Sequence, residues 1–90
     1  MEVIGINSKD KNQRVEFESI REASRQLNMY HTTIIASCDR MRDLTKSLYY
    51  DKFGWCFYRK TDEELAEMRI KGEGIMDHYS RKFWYPISES

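Results

Sequence analysis

Long apolar runs are missing from these 90 residues, and none approaches the eighteen or more that a membrane-spanning helix needs. The N-terminal Met1-Glu2-Val3-Ile4-Gly5 has neither the basic start nor the apolar core of a secretory signal. A reducing cytoplasm is therefore the expected compartment, with no membrane partner. Cysteine is scarce, with two residues, Cys38 and Cys56, read as buried thiols. With His31 and His78 they make up all the soft ligands, and no CxxC or HxxxH spacing relates them, so no metal site is expected. His31 and Cys38 stand seven residues apart, too far for a nucleophile and its base. The four glycines, at 5, 54, 72 and 74, form no phosphate-binding loop. Asp62-Glu-Glu64 reads as a helix start rather than an acid–base pair. No catalytic residue, cofactor or small-molecule substrate is expected, and the chain is read as a non-enzyme.

An excess of either charge is also lacking: 15 Lys and Arg balance 15 Asp and Glu. That argues against strong nonspecific attraction to a phosphate backbone. The distribution is uneven, since residues 1–59 carry ten basic against eight acidic side chains and residues 60–90 five against seven. Within residues 30–60 the count is six against three, enough for a mildly positive face.

What is present centres on residues 19–38. Ser19 with Glu22 forms a capping box that starts a helix at Ile20. Ile20, Ala23 and Leu27 make a narrow apolar stripe, with Arg21, Arg25 and Gln26 in solvent. Asn28 tolerates the left-handed conformation that ends helices, which places a tight turn at Asn28-Met-Tyr30. A second helix follows from about His31 to Arg42, with Ile34 and Cys38 inward. Two helices joined by so short a turn are a helix-turn-helix, whose second member is the candidate groove reader. The same pattern occurs in small domains that never meet nucleic acid.

Val3–Ile6 and Val15–Phe17 read as a β-hairpin around the polar loop 7–13, and Trp55–Arg59 as a third strand after Gly54. Thr61 with Glu64 marks a further helix start, with Leu65, Met68 and Ile70 on its apolar side and Gly72-Glu-Gly74 at its end. In the tail, a helix Met76–Phe83 would bring Tyr79 and Phe83 to one side, with Trp84, Tyr85 and Pro86 beyond. Tyr79, Phe83, Trp84 and Tyr85 dock on the chain's own core, close a homodimer, or form a surface for a partner. The expected fold is α+β, a small three-stranded antiparallel sheet with a helix-turn-helix and a C-terminal helix. Residues 1–60 form the helix-turn-helix module with its hairpin and third strand, and 61–90 the helix and aromatic tail of the same domain.

Residues Val15-Glu-Phe17, Ser19-Ile-Arg-Glu-Ala23, Leu27, Thr33-Ile34, Cys38 and Phe53-Gly-Trp-Cys-Phe-Tyr58, in this order, resemble the small modular DNA-binding domain attached to intron-encoded homing endonucleases. The resemblance covers about residues 3–59. It implies DNA positioning, with cutting left to a separate nuclease domain, and use by a phage or mobile element. This sequence departs from the pattern at Ile35, where a polar residue is usual, at Asn28, where Gly is common, and throughout residues 60–90, which have no counterpart.

The leading expectation is a double-stranded DNA-binding regulator or accessory protein. Tyr30, His31, Thr32 and Ile35 read bases from the start of the second helix, and Arg21, Arg25, Arg42, Lys46 and Lys52 contact phosphates. Ile35 suits a thymine methyl. The alternative is a protein-binding module, a small inhibitor or adaptor of a host protein that keeps the helix-turn-helix shape. Zero net charge, Ile35 and Phe83-Trp-Tyr85 favour it.

Overall fold

The computed structural model describes residues 1–77 and 83–84. Its element order is β1 (Val3–Asn7), β2 (Asp10–Phe17), α1 (Ile20–Leu27), α2 (His31–Arg42), β3 (Trp55–Arg59), a 3-10 turn (Lys60–Asp62), α3 (Glu63–Glu73), β4 (Ile75–Met76) and β5 (Phe83–Trp84). The fold is α+β. β1 lies between β2 and β3, antiparallel to both. Val3 pairs with Phe17 on one side and with Arg59 on the other.

Side chains alternate across this sheet and build a core on each face. On one face Val3, Phe17 and Phe57 meet Ala23, Met29, Ile34 and Cys38 from the helical pair. On the other, Ile4, Ile6, Cys56 and Tyr58 meet Met41, Leu48, Tyr50, Ala66, Ile70 and Ile75. α2 contributes to both clusters because it runs along β3, whose outer edge has no strand partner among the described residues. There the Phe57 N–H donates to Ser37 Oγ at 2.8 Å, so a helix side chain meets a donor that would otherwise be left on a bare strand edge. Gly5 is required by close approach. A Cβ there would come within 3.0 Å of the Trp55 and Phe57 rings, which stack on each other with centroids 5.7 Å apart.

Five details correct the sequence reading. The loop expected at 7–13 is shorter, because β2 begins at Asp10 and only Ser8 and Lys9 form the turn. Asn7 Oδ1 accepts the Lys9 N–H at 2.8 Å, and the Ser8 N–H donates to the Gly54 carbonyl at 2.7 Å, so the turn is closed by side chain and backbone together. Leu27 is half-buried rather than core, packed at the margin of the first cluster with Ile20.

Thr61 does not cap α3. It sits in the 3-10 turn, the cap position falls to Asp62, and that carboxylate is drawn away to the Arg42 guanidinium at 2.6 Å. The buried side of α3 is Ala66, Arg69 and Ile70, with Leu65 half-buried and Met68 67% exposed. The helix Met76–Phe83 is replaced by strand pairing, Ile75 with Trp84 and Met76 with Phe83. The Met76 carbonyl accepts from the Tyr50 N–H and its N–H donates to the Leu48 carbonyl, so extended backbone satisfies groups a helix would have turned inward. Ile75 is fully buried in the chain's own core. Tyr79 and Tyr85 lie outside the described residues, as do the side chains of Phe83 and Trp84.

Candidate nucleic-acid interface

The helical pair is held by local chemistry at its start and turn. Ser19 Oγ accepts the Glu22 N–H at 3.0 Å, which fixes where α1 begins. The Glu22 carboxylate does not return to the cap. It accepts from Arg25 and from Gln26, and these hydrogen bonds, the Arg25 one foremost, lower its pKa to about 2. Asn28 adopts φ 55, ψ 48, the left-handed cap, and its N–H and that of Met29 both donate to the Ser24 carbonyl. The buried Ser24 hydroxyl donates to the Met29 carbonyl. Met29 then turns inward and Tyr30 outward, 82% exposed.

α2 begins at His31 with no side-chain cap. Ile34, Cys38 and Met41, at i, i+4 and i+7, are buried, and the opposite side presents Thr32, Ile35, Ala36 and Asp39 to solvent. Its far end is held by a residue that sequence reasoning missed. Arg69 of α3, 4% exposed, donates from Nη1 to the carbonyls of Arg40 and Met41 at 2.9 Å and of Asp43 at 3.3 Å, and from Nη2 to that of Lys46. Its Nε and Nη2 also meet the Glu73 carboxylate at 2.9 and 3.0 Å. Carbonyls at the end of a helix lack intrahelical partners and carry its negative dipole end, so a buried guanidinium fork there is doubly matched. The one local hint was the i, i+4 spacing of Arg69 and Glu73, since the carbonyls it serves lie 23–29 residues away.

Of the four residues expected to read bases, Tyr30, His31, Thr32 and Ile35 are all exposed, and they share the N-terminal end of α2. His31 and Ile35 are one turn apart on a surface that extends to Ala36. The five expected phosphate contacts are more dispersed. Arg21 and Arg25 lie on α1, and Arg25 is ion-paired with Glu22. Arg42 is held by Asp62 at 2.6 Å. Lys46 stands 4.0 Å from Asp43, in a shallow depression with Ala36, Asp39 and Arg40. Lys52 is exposed, its ammonium 5.2 Å from the Phe53 ring centroid. Asp39, on the outward side of α2, meets Arg59 at 3.1 Å, and Arg40 lies 5.2 Å from the Tyr49 ring centroid. The surface around α2 is thus rich in charges that are largely matched within the chain.

Burial pushes the Cys38 thiol up to about 11 and the Cys56 thiol up to about 12, so both stay protonated near neutrality and are poor nucleophiles. Among the described residues no three His, Cys, Asp or Glu side chains group as metal ligands, and no helix is long and apolar enough to cross a membrane. Comparison with protein families, with curated proteins and with solved structures finds no match to this chain.

Proposed function

We propose that this chain binds double-stranded DNA, with α2 laid in the major groove, and serves as a small cytoplasmic regulator or accessory protein of a phage or mobile element. The observation that carries the reading is how α2 is mounted. One side is fixed by Ile34, Cys38 and Met41, Ser37 joins it to β3, Arg69 grips its C-terminal end, and its outward side and N-terminal end are bare. A helix about 10–12 Å across matches a groove about 12 Å wide. Groove-reading helices present their N-terminal residues to base edges, which here are His31, Thr32 and Ile35, with Tyr30 just before them. The resemblance of residues 3–59 to the DNA-binding module of homing endonucleases points the same way.

Arg21 and Lys52 are the candidate phosphate contacts without a carboxylate partner among the described residues, whereas Arg25, Arg42 and Lys46 would have to exchange one. With so few available cations, a shallow salt dependence follows. Affinity for duplex DNA should fall about 10–100-fold between 50 and 200 mM salt, the range for two to four phosphate contacts. Fluorescence anisotropy with a duplex pool measures it. Matched charges and the exposed Ile35 and Leu44 favour a second reading, a protein-binding module directed at a host protein. That reading predicts no duplex binding at 50 mM salt and a partner affinity nearly independent of salt.

A further inference from the structure

Beside the N-terminal end of α2 lies a cleft that shares Tyr30 and Lys52 with the groove-reading surface and extends beyond it. Asn28, Met29, Tyr30 and Thr33 on one side and Asp51, Lys52 and Phe53 on the other line this cleft of about 370 Å3. Met29 is its buried lining residue, while Tyr30 and Phe53 are 82% and 56% exposed. Two large aromatic rings left in water on either side of one cleft are costly for a chain this small, and each offers a flat apolar face.

The Phe53 side is held in place. Asp51 Oδ1 accepts the N–H of Phe53 at 2.9 Å and of Trp55 at 3.0 Å, the Gly54 N–H donates to the Asp51 carbonyl, and the Asp51 N–H donates to the Trp55 carbonyl at 2.9 Å. Gly54 closes this turn at φ 86, where a Cβ would also strike Ser8 Oγ at 2.7 Å. Phe53 and Lys52 are therefore presented by a preorganised tip, which lowers the ordering cost of any contact they make.

The cleft's chemistry selects among occupants. It is too small for a helix or strand, being near the lower limit of small-molecule sites. The Asp51 carboxylate is turned away, with Oδ1 engaged by two backbone N–H groups and Oδ2 buried, so the charge the lining offers is the Lys52 ammonium, exposed over the Phe53 ring. The matching ligand is flat and aromatic and has an anion attached at one side. A nucleotide has that layout, with a phosphate beyond the sugar that carries its base. Aromatic rings are the usual platforms for bases outside a duplex, because every base has a π-face to stack.

We propose that the cleft between Tyr30 and Phe53 takes one unpaired nucleobase, stacked on the Phe53 ring with its phosphate at Lys52, while α2 lies on the adjoining duplex. The inference rests on the DNA reading, and it makes a locally unpaired duplex the preferred ligand. The test compares two otherwise identical duplexes, one fully paired and one with a single extrahelical 2-aminopurine nucleotide, each titrated with the full chain. The bulged duplex binds about 5–150-fold tighter, the range one base stacked on an aromatic ring supplies, and the 2-aminopurine fluorescence is quenched on binding. Phe53→Leu keeps an apolar side chain at this exposed position and abolishes both the preference and the quenching without changing affinity for the paired duplex. Phe53→Trp retains them. Equal affinity for the two duplexes, or a preference untouched by Phe53→Leu, overturns the stacking site and leaves the groove reading standing; no binding to either duplex overturns both.

Discussion

α1 and α3 run for eight and eleven residues and each carries acidic side chains in its first turn, Glu22 in the one and Glu63 and Glu64 in the other, yet they are organised by different forces. α1 is specified from within. Ser19 starts it, Glu22 pairs with Arg25 and Gln26 along it, Asn28 ends it, and the side its spacing implies faces the core, with Ala23 buried and Ile20 and Leu27 half-buried. α3 is specified from without. The carboxylate at its cap position is spent on Arg42, and its buried side contains a charged residue, because the end of α2 and the turn after it supply four carbonyls for that residue to meet. Helix propensity and capping are local, whereas the value of burying an arginine depends on groups elsewhere in the fold. α3 is thus as much a clamp on α2 as a layer of core.

The dependence of α3 on distant groups is concentrated at Arg69. Arg69→Met fills a similar volume but takes the guanidinium donors from the carbonyls of Arg40, Met41, Asp43 and Lys46, and should cost about 3–5 kcal/mol in urea unfolding. Arg69→Lys, which keeps the charge and loses the fork, should recover only part of that. A loss below about 1 kcal/mol for Arg69→Met would make α3 an ordinary packing helix.

A smaller contrast lies at the two helix starts. Ser19→Ala removes the hydroxyl that caps α1 and should cost about 1 kcal/mol, while Thr61→Ala, which removes no cap, should stay within about 0.5 kcal/mol. Equal losses in the same unfolding experiment would erase the distinction between a locally and a remotely determined start.

The smallest effect is electrostatic. The Glu22 carboxyl is depressed from 4.5 to about 2, chiefly by its hydrogen bonds to Arg25. A depressed carboxyl favours the folded state above its ordinary pKa, and that contribution is lost as the pH falls from about 4.5 toward 2. Glu22→Gln should therefore flatten the stability profile in that window alone, and added salt should shrink the difference. A difference between wild type and variant that persists unchanged below pH 2 would assign the effect to something other than this ion pair.

These contrasts explain what was legible in the sequence. The bounds of α1, α2 and β3 follow from Ser19, Asn28 and Gly54, whose conformational demands lie within a few residues of where they act. The strand Asp10–Phe17 was read too short because its first half is polar, and its pairing with β1 carries it past what composition favours. Arg69 went unnoticed because its carbonyl partners are distant in sequence, and Met68 looked like core because α3 was phased on Leu65. At the candidate interface, Tyr30, His31, Thr32 and Ile35 are exposed as their helix phase implied. The matching of Arg42 by Asp62 and of Asp39 by Arg59, 20 residues apart in each case, is invisible to a charge count and changes which cations are available.

On the DNA reading proposed above, the outward side of α2 meets base edges, and selection from a random duplex pool at about 50 mM salt asks this of the protein itself. The wild-type chain should enrich a defined sequence. Thr32→Ala and Ile35→Ala, both at exposed positions, should fold as the wild type does and enrich different ones, with the Ile35 change relaxing a preference for thymine. Failure of the wild type to enrich any sequence, or enrichment of the same sequence by both variants, would contradict that reading.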